Sequence, residues 1–348
     1  MTASDDKDQV ELRSQSVDIR RRRMLQAAGA MVAVPQPWLN ARALAKDVPL
    51  HADVAIQQHN LIGESPVWDG RCGRLLWLDQ ASGTVFEAYP NRRGLLNETN
   101  RWELQRPVAA IILRRTGGFA VAAGAEILLL EETTGNISTL VTLDIDPLTR
   151  INEVKCDPQG RMWAATLVTD FTTPVAGLYR IDPDLRVTSI LSGVRVGNGM
   201  AWSPDGATFF FTDSLTQSVD AFDFDAATGM ISGRRSVVRF EQCAPDGLTV
   251  DRHGCLWIAA AAAGEVRRYT PDGELLARVK IATPGVTSCS FGGRNHQFLF
   301  ANSLSVRMPE IPELGIPSEQ LENNHPDSGA VFVCRPHARG LPVNYFAG

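Results

Sequence analysis

One pattern narrows the fold of this 348-residue chain more than any other: a turn ending in glycine, then a short strand of aromatic and small residues. It runs Asp69-Gly70-Arg71-Cys72-Gly73 into Arg74-Leu75-Leu76-Trp77, and Thr116-Gly117-Gly118 into Phe119-Ala120-Val121. It returns as Asp157-Pro158-Gln159-Gly160 before Met162-Trp163-Ala164, and as Ser203-Pro204-Asp205-Gly206 before Phe209-Phe210-Phe211. Asp251-Arg252-His253-Gly254 precedes Leu256-Trp257-Ile258, and a looser copy links Phe291-Gly292-Gly293 to Phe298-Leu299-Phe300. The markers Gly73, Gly117, Gly160, Gly206, Gly254 and Gly293 are 44, 43, 46, 48 and 39 residues apart. A period in the forties, built of short strands and Gly turns, is the signature of a β-propeller. Proline supplies φ near −65° and glycine the positive φ that such turns require. No long stretch of helical periodicity follows residue 46. The expectation is an all-β fold, one six-bladed β-propeller with four-stranded antiparallel blades, over residues 46–348. Trp77, Trp163 and Trp257 are expected at equivalent positions, packed between blades. The Pro- and Glu-rich stretch 308–327 breaks the pattern and reads as an inserted surface loop before a last strand at 329–334.

Residues 1–45 do not belong to this repeat. Arg20-Arg21-Arg22-Arg23-Met24-Leu25 leads into a short apolar run, and Ala43-Leu44-Ala45 is a small-x-small cleavage site. The segment resembles a twin-arginine signal, with Arg21 and Arg22 as the pair, and predicts periplasmic or secreted protein. No apolar run approaches the roughly 20 residues of a membrane span, so no membrane anchor is expected after cleavage. Net charge is −5, and −7 without the first 45 residues, which leaves no basic surface for nucleic acid. None of the six cysteines forms a CxxC pair. Zinc ribbons and thioredoxin-type chemistry are therefore not indicated. The twin-arginine route carries folded cargo from a reducing cytoplasm, so buried free thiols are expected.

Candidate chemistry lies just ahead of the repeated strands. A propeller gathers the starts of its innermost strands around one mouth of its channel. Glu64 stands nine residues before its Gly marker, and Asn152, Asn198 and Asp246 each stand eight before theirs. Residues so phased form one ring around the axis. Two carboxylates and amide oxygens make an oxygen-only set, suited to a hard cation. Without one, Glu64 and Asp246 repel each other.

These segments resemble the SMP-30/gluconolactonase/LRE family of six-bladed hydrolases. The resemblance covers most of residues 54–303. It rests on Glu64-Ser65-Pro66-Val67-Trp68, Arg150-x-Asn152, Asn198-Gly199-Met200-Ala201-Trp202, Thr212-Asp213-Ser214 and Pro245-Asp246-Gly247-Leu248. It implies that Glu64, Asn198 and Asp246 hold one divalent cation, calcium first and zinc, manganese, magnesium or iron(II) as alternatives. It implies further that Arg150 and Asn152 face the substrate. Where the family commonly has Asp after that Asn, this chain has Glu153; where Gly is usual, it has Ala165. The segment 259–264 is all alanine up to Gly264, poor in side chains that could bind a substrate.

The implied reaction is hydrolysis of a sugar lactone, a gluconolactone-like aldonolactone, to its acid. The cation would polarise the carbonyl. Asp246 would be both ligand and catalytic base, and Arg150 and Asn152 would donate to hydroxyls or the oxyanion. No histidine falls in the ring and no Gly-x-Ser-x-Gly elbow occurs. Phosphotriester hydrolysis on the same cation, and a non-catalytic propeller that binds a sugar or a protein, are the competing readings. The export reading is checked by cell fractionation: wild type is found cleaved in the periplasm, and the Arg21→Lys, Arg22→Lys double variant stays uncleaved in the cytoplasm.

Overall fold

The computed structural model describes residues 50–348; the expected signal segment, 1–45, lies outside them. Among the described residues are six sheets, one per expected blade. Blade one comprises Gly63–Asp69, Arg74–Asp79, Thr84–Pro90 and Leu96–Glu103. Blade two comprises Ile111–Leu113, Phe119–Ala123, Glu126–Leu130 and Ile137–Thr142. Blade three is Thr149–Cys156, Met162–Val168, Ala176–Ile181 and Val187–Val194. Blade four is Gly197–Trp202, Thr208–Asp213, Ser218–Asp225 and Met230–Arg239. Blade five holds Ala244–Val250, Leu256–Ala261, Glu265–Tyr269 and Leu275–Lys280, and Leu50–His51 adds a short parallel strand to its edge. Blade six takes three strands from the end of the chain, Val286–Gly292, Phe298–Ser303 and Val331–Cys334. Its outermost strand comes from the start, where Asp53–Ile56 pairs antiparallel with Val331–Cys334. An early and a late strand thus close the ring within one sheet.

All six marker glycines have positive φ, between 68° and 100°, the conformation for which glycine was needed. Along each second strand, successive side chains point to opposite faces, and both faces are buried. Met162 and Ala164 pack against blade two, while Trp163 and Ala165 pack against blade four. Six apolar clusters result, each filling the gap between two neighbouring blades. Trp163 and Trp257 are fully buried and donate Nε1–H to Asp157 and Asp251, both at 3.0 Å. Trp77 departs from the expected equivalence. It comes four residues after its Gly marker, whereas Trp163 and Trp257 come three after theirs, so Leu76 occupies the Trp163 position and Trp77 packs back against blade six.

The inserted segment also differs from a simple surface loop. It joins the second and third strands of blade six, and its Met308, Leu314, Leu321 and Asn323 are buried. Leu314 reaches Leu167 of blade three and Leu215 of blade four, so the segment is a strap seated on several blades. All six cysteines are free thiols, but only four are buried as expected: Cys72 lies exposed in the turn of blade one and Cys334 is half-buried. At the opposite end of the channel the last residues cross from blade five to blades two and three. Gly340 bridges Asp251, Phe346 bridges Arg114, and Ala347 N–H donates to Gly160 O at 2.9 Å. Phe346 is fully buried in the cluster between blades two and three. Phe346→Ala is expected to destabilise the protein by about 3–5 kcal/mol, read as a fall in urea midpoint with an unchanged slope.

Candidate functional site

The four in-phase residues all sit where an inner strand departs from regular pairing. The ladder of blade one shifts between Glu64 and Val67, and that of blade three between Ile151 and Glu153. Blade four shifts between Gly197 and Met200, and blade five between Pro245 and Leu248. Each shift is a β-bulge, which lifts residues out of the ladder and re-aims their side chains. The glycines after Asn198 and Asp246 are required by close approach. A Cβ on Gly199 would lie 2.5 Å from Asp246 O, and one on Gly247 would lie 2.2 Å from Ser288 Oγ. The inner strands of blades four, five and six therefore meet backbone to backbone around the axis.

Two aspartates hold the segments that lead into the bulges. Asp79 accepts from the N–H groups of Leu61 and Ile62 at 3.1 and 3.0 Å, just ahead of Glu64. Asp213 accepts from Arg195 and Val196, both at 3.1 Å, just ahead of Asn198. Ser214 Oγ accepts from Asn198 Nδ2 at 3.1 Å and donates to Pro245 O at 2.7 Å. One hydroxyl thus ties the Asn198 amide to the strand that bears Asp246, and commits one N–H of that amide.

Asn152 and Arg150 form a second group. Arg150 Nη2 donates to Gln80 Oε1 at 2.8 Å, and Nη1 to Asn152 Oδ1 at 3.3 Å. Asn152 Nδ2 donates to Gly197 O at 3.1 Å, across to blade four. The Asn152 amide is therefore fixed between protein partners, and Arg150 is held by Gln80, Asn152 and the Ile151 carbonyl.

The electrostatics are those of an enclosed acidic site. Burial, followed by the charge of Glu153, pushes the Glu64 carboxyl up to about 8. Burial raises Glu153 as well. Asp246 is raised well above the usual carboxylate range by burial, then by Glu64 and Glu153. Asp246 Oδ1 is buried without a hydrogen-bond partner. Lys155 lies among these groups and donates to Leu248 O at 2.5 Å. Below the ring, a cavity of about 120 Å³ is lined by Ser65, Glu153, Lys155 and Ser288 and floored by Leu341 to Asn344. Among the described residues, no three His, Cys, Asp or Glu side chains group closely enough to hold a metal. Any cation here would have to draw on the Asn198 amide.

Sequence reasoning missed Gln80, Ser214 and the two positioning aspartates, although Asp213-Ser214 lay inside a noted motif. It also missed Thr287, which occupies the bulge of blade six and donates to Gly63 O at 2.5 Å. Its strand has no Asn, Asp or Glu to mark it.

The chain is similar to several known proteins. Residues 62–305 match the family model described as the SMP-30/Gluconolactonase/LRE-like region. Regucalcin of Danio rerio is 31% identical over 305 residues, covering 86% of this chain and 99% of that protein. Regucalcin of Homo sapiens is 35% identical over 247 residues, covering 68% and 81%. Among solved structures, a luciferin-regenerating enzyme superposes with a TM-score of 0.74 at 26% identity, covering 85% of this chain and 100% of its own. The matched residues contain every bulge and every ring residue just described, and the chain belongs to the SMP-30/gluconolactonase/LRE-like family.

Proposed function

We propose that this chain is a divalent-cation-dependent hydrolase that opens a lactone ring. The observation that carries the reading is the buried, partnerless Oδ1 of Asp246, beside Asn198 and a Glu64 carboxyl raised to about 8. Buried polar atoms are almost always paired, and two crowded acids with an amide fit a cation that takes oxygen ligands. Glu64, Asn198 and Asp246 would hold it, with calcium as the first choice for an all-oxygen set. When bound, such a cation polarises a carbonyl and makes water a stronger acid.

The remaining steps use the chain's own groups. Ser214 holds the Asn198 amide by one N–H and leaves its oxygen free to serve as a ligand. Asp246 Oδ1, with no protein hydrogen to accept, takes the proton of the water that attacks the carbonyl carbon. The ring C–O bond then breaks and Asp246 returns that proton to the departing ring oxygen, giving the hydroxy acid and the free carboxylate of Asp246. Arg150 donates to the substrate oxygen as charge develops there, and its link to Gln80 aims it. The aldonolactone implied by the sequence resemblance is the reference substrate. On the twin-arginine reading, the reaction takes place in the periplasm.

Two measurements test this. In initial-rate assays of lactone opening, a chelator abolishes turnover and calcium restores it. Asp246→Asn lowers kcat by about 100-fold or more at saturating cation. Arg150→Ala lowers kcat/KM by about 10-fold or more while calorimetric cation affinity stays nearly unchanged. A wild-type rate in Asp246→Asn excludes it as the base.

The second measurement is stability against pH. Glu64 is raised from 4.5 to about 8, so between those values the cation-free folded protein binds more protons than the unfolded chain. Its stability therefore falls as pH rises through that window. Lys155 and Arg150 oppose the shift and Glu153 reinforces it. In chelator, Tm is expected to decline from pH 5 to pH 8, and the rise in Tm on adding calcium is expected to be larger at pH 8 than at pH 5.5.

A further inference from the structure

The mouth above the ring is chemically lopsided. The positions two before the ring residues lie the next step outward along the chain. These are Ile62, Arg150, Val196 and Ala244, one charged side chain and three apolar ones. The polar side of the mouth is built by blades one and three, from Gln80, Arg150 and Asn152. The other side is largely hydrocarbon, its nearest polar groups, Arg195 and Gln217, being committed to the carbonyls of Leu215 and Leu314. Val196 and Ala244 are buried in a cluster with Leu167, Leu215 and Leu314 of the strap. Phe171, Ala261, Ile311 and Ile316 pack against that cluster and remain partly exposed.

The strap that completes this wall is fixed. Gln217 Nε2 donates to Leu314 O at 3.1 Å. Asn323 accepts from Gly285 N–H at 2.8 Å and donates to Val306 O at 2.8 Å. Met308 and Leu321 are buried in the core between blades four and five. The apolar side is therefore part of the folded frame and continuous with the ring, since Val196 and Ala244 each lie two residues from Asn198 and Asp246.

We infer that the natural substrate is a lactone bearing a hydrocarbon substituent, which lies against Phe171, Ala261, Ile311 and Ile316 while the polar ring faces Arg150 and Asn152. The inference rests on the lactone-hydrolase reading and narrows it. A fully hydroxylated aldonolactone would leave hydroxyls unpaired against this wall, each weakening binding by about tenfold. A hydrocarbon gains up to about fourfold per buried methylene.

The test uses the full chain with saturating calcium and a series of γ-lactones with side chains from none to six carbons, beside glucono-δ-lactone. The expected result is a kcat/KM that climbs two- to fourfold per methylene and passes that of glucono-δ-lactone. Ile316→Asn and, on a separate loop, Phe171→Ser flatten the climb and leave the rate on unsubstituted γ-butyrolactone unchanged, with Tm measured on both. A flat chain-length profile, or a tenfold preference for glucono-δ-lactone, overturns the inference and leaves the lactone-hydrolase reading standing. Absence of hydrolysis of every lactone overturns that reading and the inference with it.

Discussion

Burial of both faces of every blade is the constraint on which the rest of this structure depends. A single four-stranded sheet here would expose two apolar faces. Each cluster of the core is shared by two blades, down to alternate residues of one strand such as Met162 and Trp163. No blade has a core of its own, so the sheets are stable only as a closed ring. The pairing of Asp53–Ile56 with Val331–Cys334 supplies that closure, and the carboxy-terminal residues brace the far end of the channel.

The candidate site is built where this regularity is broken. At each bulge the ladder gives up pairing to turn a polar group inward. Asp79, Asp213 and Ser214 hold the displaced segments. The result is three acids in one enclosed channel, held above their usual proton affinity by burial and by one another. That arrangement costs stability in the absence of a counter-charge, as sites for ligands commonly do. Lys155 and Arg150 offset part of it, and Asp246 Oδ1 is left with nothing to accept.

Much of this was legible in the sequence because the repeat is local. Glycine at a turn and a polar residue eight positions earlier are both properties of one short segment. The blade count, the marker turns and the common phase of Glu64, Asn152, Asn198 and Asp246 could therefore be read from spacing. What escaped depends on pairing across long distances. A bulge is a relation between two strands, so Thr287 gave no signal. The reversal of Trp77 was visible only as its four-residue distance from Gly73, against three from Gly160 to Trp163 and from Gly254 to Trp257. Met308, Leu314 and Leu321 follow no period, because an irregular strap meets several different blades, and its Pro and Glu content reads as exposed loop.

The closing strand also sets when the molecule can become itself. Asp53 and Val333 are neighbours in space but 280 residues apart along the chain. During synthesis, blades one to five can pair internally as they emerge, yet blades one and five each keep an apolar flank bare until the last strands arrive. Such distant pairing makes for slow assembly, and an incomplete ring is a sticky one. The ring is therefore completed only when Val331–Cys334 meets Asp53–Ile56, and a chain cut short before Val331 is an open arc with two adhesive ends.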